Sequence, residues 1–153
     1  MKLKIKFTSE LAREIYARRE KPLAWVYGDS AMDLSYVGDA PISIPARGRY
    51  TFPTGIMTAI ADVETDNYET QIRPRSGLNA KGIRVAFGTI DFTYRGEYGV
   101  ILYNHTDTDF VVSPGDRIAQ LVVAPIYKPE IEFVESLDET ERGEKGFGAS
   151  GIK

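Results

Sequence analysis

Polar and apolar residues alternate along Lys2-Leu-Lys-Ile-Lys-Phe7, the two-residue period of a half-buried strand. The period then changes. Ser9 is placed to N-cap a helix running to about Glu20, with Leu11 and Ile15 on one face and Pro22 ending it. That helix is expected to be short and peripheral. From Gly28 to Pro125, glycines and prolines punctuate the chain roughly every 8–12 residues. Between them lie short β-rich runs: Ile42–Ile44, Tyr50–Phe52, Met57–Val63, Val100–Tyr103, Phe110–Val112, Ile118–Ala124 and Ile131–Val134. Ser76 to Lys81 has room for a single helical turn. Many short strands with regular turns predict an all-β sandwich or barrel. From about Glu141 the periodicity stops. Arg142–Gly151 holds four glycines, Phe147, Ser150 and the cations Arg142 and Lys145, and too little apolar surface to fold alone. The expected organisation is one β-domain over 1–140 and an arm over 141–153. Such an arm is either a frayed tail or a lid offering an aromatic plane, cations and closely approaching backbone to a ligand.

Composition narrows the chemistry. A chain of 153 residues with 42% hydrophobic and 27% charged content is that of one globular domain with a sizeable core. No apolar run is long enough to span a membrane and no signal-peptide pattern is present, so no membrane partner is expected. Zero cysteines exclude disulfides and thiolate chemistry and fit a cytoplasmic protein. A single histidine, His105, excludes a multi-histidine metal site and leaves a carboxylate as the expected base. His105 follows Asn104 in a probable-turn sequence and reads as a surface residue. A net charge of −3 argues against a nucleic-acid partner, so an anionic ligand must meet a local cluster of cations.

Four constellations offer such chemistry. In Arg73-Pro-Arg-Ser-Gly77, a forked arginine, a hydroxyl and fresh backbone N–H groups suit an anion, although taken alone the segment reads first as a plain turn with solvated arginines. In Gly88-Thr-Ile-Asp-Phe-Thr-Tyr-Arg-Gly96, Asp91 is either a base lifted by burial or a turn cap. In Pro114–Pro125, Asp116 and Arg117 read as a structural pair, while Gln120 is a polar amide in a core-like strand that needs a partner. Asp33, before Leu34, is a weaker candidate.

In this order and spacing, the segments resemble the five motifs of the trimeric dUTP diphosphatases, the dUTPases. Ser30–Leu34 corresponds to the first, Pro74–Gly77 to the second and Gly88–Gly96 to the third. Gly115-Asp-Arg-Ile-Ala-Gln-Leu121 corresponds to the fourth and Arg142–Gly151 to the fifth. The likeness covers nearly everything from Lys21 onward. It implies a distorted jelly-roll, β-barrel-like fold with a flexible C-terminal arm that closes over the site. It also implies a homotrimer whose sites lie between subunits. The implied reaction is hydrolysis of dUTP to dUMP and pyrophosphate, which lowers dUTP and supplies the dTMP precursor. Mg²⁺ would be held mainly by the substrate phosphates and water, with no protein ligand set.

The resemblance also assigns roles. Asp91 matches the base that activates the water attacking the α-phosphorus. Tyr94 matches the aromatic under the deoxyribose, where a 2′-hydroxyl would not fit. The backbone from Val85 through Gly88 and Thr89 to Ile90 corresponds to the hairpin that reads uracil. Arg75, Ser76, Gly77 and Gln120 match the phosphate cradle, and Arg142 the γ-phosphate arginine. Phe147 matches the aromatic that stacks on uracil, and Gly148 to Ser150 the phosphate-wrapping turn. Asp33 matches an acidic residue beside the catalytic centre, acting through water. The chain departs from the family at Ala31, Phe87, Thr93, Lys145 and Ala149, none of them a core catalytic position. A dCTP deaminase would carry a glutamate on the strand after the third motif; Val100–Asn104 has no acid and Glu97 comes too early. A nucleotide-controlled binding protein on the same fold is the other alternative. The intact Asp91, Tyr94, Arg142 and Phe147 argue against loss of activity.

Overall fold

The computed structural model describes residues 1–26 and 28–146. Eleven strands and two short helices follow in the order β1 (Lys2–Phe7), α1 (Glu10–Ala17), β2 (Met32–Ser35), β3 (Ile42–Ile44), β4 (Arg49–Pro53), β5 (Ile56–Ala61), β6 (Tyr68–Arg73), α2 (Ser76–Ala80), β7 (Ile83–Val85), β8 (Gly88–Ile90), β9 (Gly99–Asn104), β10 (Phe110–Val112) and β11 (Arg117–Pro125). The strands form small antiparallel sheets: β1-β5, β10-β3, β4-β9-β7 and the four-stranded β2-β11-β6-β8. This is the expected all-β, jelly-roll-like architecture. The sheets enclose one core in which Phe52, Met32, Leu34, Ile44, Ile56, Leu102 and Leu121 are fully buried. No helix among the described residues is long and apolar enough to cross a membrane.

The first helix is integral, not peripheral. Ser9 caps it as expected, its Oγ accepting from the Ala12 N–H at 3.1 Å. It stops at Ala17 rather than near Glu20, and its buried face is Ala12, Ile15 and Tyr16, with Leu11 half-buried beside them. Gly55 shows how closely it packs: at φ +69, an added Cβ would lie 2.5 Å from the Ala12 Cβ. The helix also dresses a sheet edge. The Tyr16 hydroxyl donates to the Thr54 carbonyl at 2.9 Å and accepts from the Ser35 N–H at 3.1 Å. Arg19 Nη1 donates to the Asp33 carbonyl at 3.0 Å. Asp33 and Ser35 lie on β2, the outer strand of the four-stranded sheet, so side chains stand in for a missing neighbour strand.

Two further expectations change. Ile131–Val134 is not a strand: the segment has no regular secondary structure, with Ile131 77% and Phe133 95% exposed. Its apolar pattern is that of a strand, but no edge of its own chain receives it. Conversely, β2, β6, β7 and β8 escape the periodicity. β2 and β6 carry buried polar residues (Asp33, Ser35, Thr70, Gln71), so a strand buried on both faces does not read as apolar. The single turn expected over Ser76–Lys81 is present as α2, and His105 is exposed.

Candidate active site

One cleft opens at the end of the four-stranded sheet. Its floor is β8, which among the described residues pairs only with β6, through Ile90–Thr70, Thr89–Gln71 and Gly88–Ile72. The outer edge of Gly88–Ile90 therefore presents backbone N–H and C=O groups that no strand of this chain takes up. Asp91 follows directly and is exposed at the mouth of the cleft, so the expectation of a carboxylate buried within the chain is not met. A turn then closes through the Tyr94 N–H to the Asp91 carbonyl at 3.0 Å. Tyr94 forms one wall. Its ring packs over Gly96, where an added Cβ would fall 2.3 Å from the Tyr94 hydroxyl. That hydroxyl donates to the Glu97 carbonyl at 3.1 Å, and the ring stacks on Tyr98 with centroids 6.3 Å apart. Tyr98 is itself anchored, its buried hydroxyl 2.5 Å from Thr58 Oγ1 and 2.8 Å from Thr70 Oγ1. The cleft measures about 290 Å³, at the lower limit of a small-molecule site.

Val85 lies elsewhere than its assignment suggested. Its side chain is in the core and its strand pairs with β9, whereas β8 pairs with β6. The stretch 85–90 is thus a corner between two sheets and not a two-stranded hairpin. Phe87 stands at that corner, 59% exposed.

A second cluster gathers on the far side of the same sheet. Asp33, 3% exposed, lies opposite Gln120, which lies opposite Arg73. Asp33 Oδ1 accepts from Arg75 Nε at 3.1 Å and from Gln120 Nε2 at 3.4 Å, and Oδ2 accepts from Arg117 Nη1 at 3.0 Å. Arg75 Nη1 adds a bond to the Arg117 carbonyl at 2.8 Å. The partner that Gln120 required is therefore Asp33. Arg117 also joins this cluster instead of pairing with Asp116, whose carboxylate accepts from the Ser113 N–H at 2.8 Å. Ser76 and Gly77 follow Arg75 and are exposed; a Cβ added at Gly77 would meet nothing of this chain. Arg142 is exposed, its Nε donating to the Lys145 carbonyl at 3.1 Å. Phe147, Gly148 and Ser150 lie outside the described residues.

The strand order sets the distance between the two clusters. Asp91 and Asp33 are three strand spacings apart and offset along the strands, a separation of roughly 15–20 Å. Asp33 is thus not beside Asp91 within one chain.

The model of the dUTPase family matches residues 27–151. The chain belongs to the dUTPase family. It is similar to a deoxyuridine 5′-triphosphate nucleotidohydrolase of Syntrophotalea carbinolica, 50% identical over 126 residues that cover 80% of this chain and 83% of that one. It is 46% identical to the enzyme of the same name from Oryza sativa subsp. japonica over 151 residues, 98% of this chain and 81% of that one. Among solved structures, a dUTPase mutant from phage 80alpha matches with TM-score 0.80 at 25% identity, covering 97% of this chain and 98% of that one. Another mutant of the Staphylococcus bacteriophage 80alpha dUTPase, solved with dUpNHpp, matches with TM-score 0.78 and covers 99% of each chain.

Several residues of this dUTPase-family site were not visible in the sequence. Arg117 was hidden by its neighbour Asp116, the nearer apparent partner. Tyr98 reads as one more core aromatic, and nothing local marks Thr58 and Thr70 as its anchors. Arg19 sits in a segment to which the family motifs give no role.

Proposed function

We propose that the chain hydrolyses dUTP to dUMP and pyrophosphate at sites shared between copies of itself. The observation that carries this reading is the exposed Asp91 at the mouth of a cleft whose floor is unpaired strand edge and whose wall is Tyr94. A strand edge offers alternating donors and acceptors, which suits uracil. Cytosine reverses that pattern at two positions and would leave buried groups unpaired. Tyr94, held from below by Gly96 and from the side by Tyr98, is a fixed plane for a deoxyribose and leaves no space for a 2′-hydroxyl. Relatives bearing the name deoxyuridine 5′-triphosphate nucleotidohydrolase, and the phage dUTPase bound to dUpNHpp, support the same substrate.

Asp91 accepts a proton from a water whose oxygen bonds to the α-phosphorus. The bond from that phosphorus to the bridging oxygen breaks, and pyrophosphate carries away the electron pair. Phosphoryl chemistry of this kind depends on positioning and charge neutralisation. Arg75, the Ser76 hydroxyl, the Gly77 backbone, Gln120 and Arg142 neutralise and hold the phosphates. Phe147 and the 148–150 turn complete the site as a closing arm over 141–153, behind a β-domain over 1–140. Mg²⁺ neutralises phosphate oxygens when bound. Asp33 is already engaged by two guanidiniums and an amide, a donor set that fits an ion carried on the triphosphate and waters rather than on a protein cage. The product dUMP feeds dTMP synthesis while dUTP falls.

Distance supports the need for a second copy. A base must come within roughly 3 Å of the water it deprotonates, yet Asp91 and the arginine cluster are several times farther apart in one chain. Surface chemistry agrees. Glu130-Ile-Glu-Phe133 alternates charged and apolar residues with the apolar ones exposed, and β1 reads Lys2-Leu-Lys-Ile5 and among the described residues pairs only with β5. Opposite charges and matched alternation suit cross-strand pairing between copies, consistent with a homotrimer. The testing experiment is pyrophosphate release from dUTP with Mg²⁺, beside dTTP, dCTP and UTP. Release from dUTP alone is expected. Equal release from UTP or dCTP would overturn the roles given to Tyr94 and the β8 edge, and no release from dUTP would overturn the reaction.

A further inference from the structure

The segment before β2 carries a charge that the reaction scheme leaves unused. Arg19 lies over the Tyr16 ring, 5.0 Å from its centroid, and donates Nη1 to the Asp33 carbonyl. Its Nε and Nη2 are buried and have no hydrogen-bond partner among the described residues, and Ser35 Oγ on the same strand is in the same state. A guanidinium is costly to hold this way, since each unpaired buried donor has lost its water. Burial pushes its pKa below the ordinary arginine value, and Arg75 and Arg117 act in the same direction, while Tyr16 and Asp33 oppose it. Two guanidiniums thus hold the buried carboxylate of Asp33 and a third its backbone carbonyl, leaving a local excess of positive charge on a chain whose net charge is −3.

We propose that Arg19 is a positioning residue of the phosphate half-site: it pins the backbone of Asp33, whose carboxylate aims Arg75, and it supplies fixed positive charge behind Arg75 that favours the most highly charged nucleotide. This rests on the reading that Arg75 meets the substrate phosphates. Tyr16 clamps the strand on one side through the Ser35 N–H, Arg19 clamps it through the Asp33 carbonyl, and the carboxylate between them has little freedom left. Arg19 itself touches no substrate. Its effect reaches the ligand through the geometry of Arg75 and through a field weakly screened by the interior.

The test is steady-state dUTP turnover by the full chain carrying Arg19→Met, which keeps apolar packing on Tyr16, and by Arg19→Lys, which keeps the charge. Arg13→Met, on the exposed side of α1, is the control. For Arg19→Met, KM for dUTP is expected to rise about tenfold with kcat within about twofold of the starting protein. Its KM should also depend less steeply on ionic strength, and inhibition by dUMP, which carries one phosphate, should weaken less than about threefold. Arg19→Lys should recover most of the loss. A fallen melting temperature with unchanged KM and unchanged salt dependence would make Arg19 a strand-edge cap and overturn the proposal. So would failure of Arg19→Lys to recover KM in a folded protein. If Arg19→Met does not fold, Arg19→Gln replaces it with the same two outcomes. Arg75→Met separates the premises. If it raises KM and Arg19→Met does not, this inference alone fails; if neither does, the phosphate reading itself is wrong.

Discussion

Asp91 is exposed within its own chain, so the base role proposed for it rests on where the β8 edge and the Tyr94 turn hold it. Replacing Asp91 with Asn keeps size and shape and removes the proton acceptor. Turnover of dUTP is expected to fall at least about a hundredfold while nucleotide binding and melting temperature persist, as measured by pyrophosphate release, calorimetry and thermal unfolding. Turnover near that of the starting protein would remove Asp91 from the role. The residues proposed to meet a ligand were legible because they sit in turns, where polar residues in fixed spacing have little structural reason to be there. The residues that hold those residues were not. Asp33 pairs with Arg75 and Arg117 across 42 and 84 positions of sequence, and no local pattern announces such a bond.

At the scale of elements, periodicity found those strands that alternate on one wet and one dry face, β1 and β9 among them. It missed β2, whose four residues are all buried although two are polar. It also misjudged α1, because Tyr16 looks like an amphipathic surface residue until its hydroxyl is seen to join β2 to Thr54. That hydroxyl gives a measurable signature. Burial raises the Tyr16 pKa to about 12, against the opposing effects of the Ser35 N–H and the Arg19 charge. Tyrosine raised in the folded state retains its proton where the unfolded chain has lost it. Its contribution to stability is therefore whole below pH about 10 and lost as the pH climbs toward about 12, a change of about 2–3 kcal/mol. Tyr16→Phe should flatten that alkaline slope in pH-dependent urea unfolding. At neutral pH it should cost about 1–3 kcal/mol, because the Ser35 N–H and the Thr54 carbonyl lose a buried partner. An unchanged alkaline slope would show that the hydroxyl is not sequestered.

At the scale of the whole molecule, the proposed base and the proposed phosphate cluster of one chain stand well apart. The cleft with Asp91 and Tyr94 lies at the β8 edge of one sheet, and the cluster around Asp33 gathers toward its β2 edge. The overall β architecture was readable from turn spacing, but this separation was not, since strand order is set by long-range pairing such as β11 between β2 and β6. The exposed apolar side chains of Ile131 and Phe133 are the other observation that supports the proposed assembly from several copies. The decisive measurement is complementation. Asp91→Asn and Arg75→Met chains, each nearly inactive on dUTP alone, are unfolded together in equal amounts and refolded as a mixture. If each site takes Asp91 from one copy and Arg75 from another, random assembly leaves about a quarter of the sites with both residues, and pyrophosphate release should recover to about that fraction. A mixture no more active than its two components would mean that both residues serve a site within one chain, and would contradict the account.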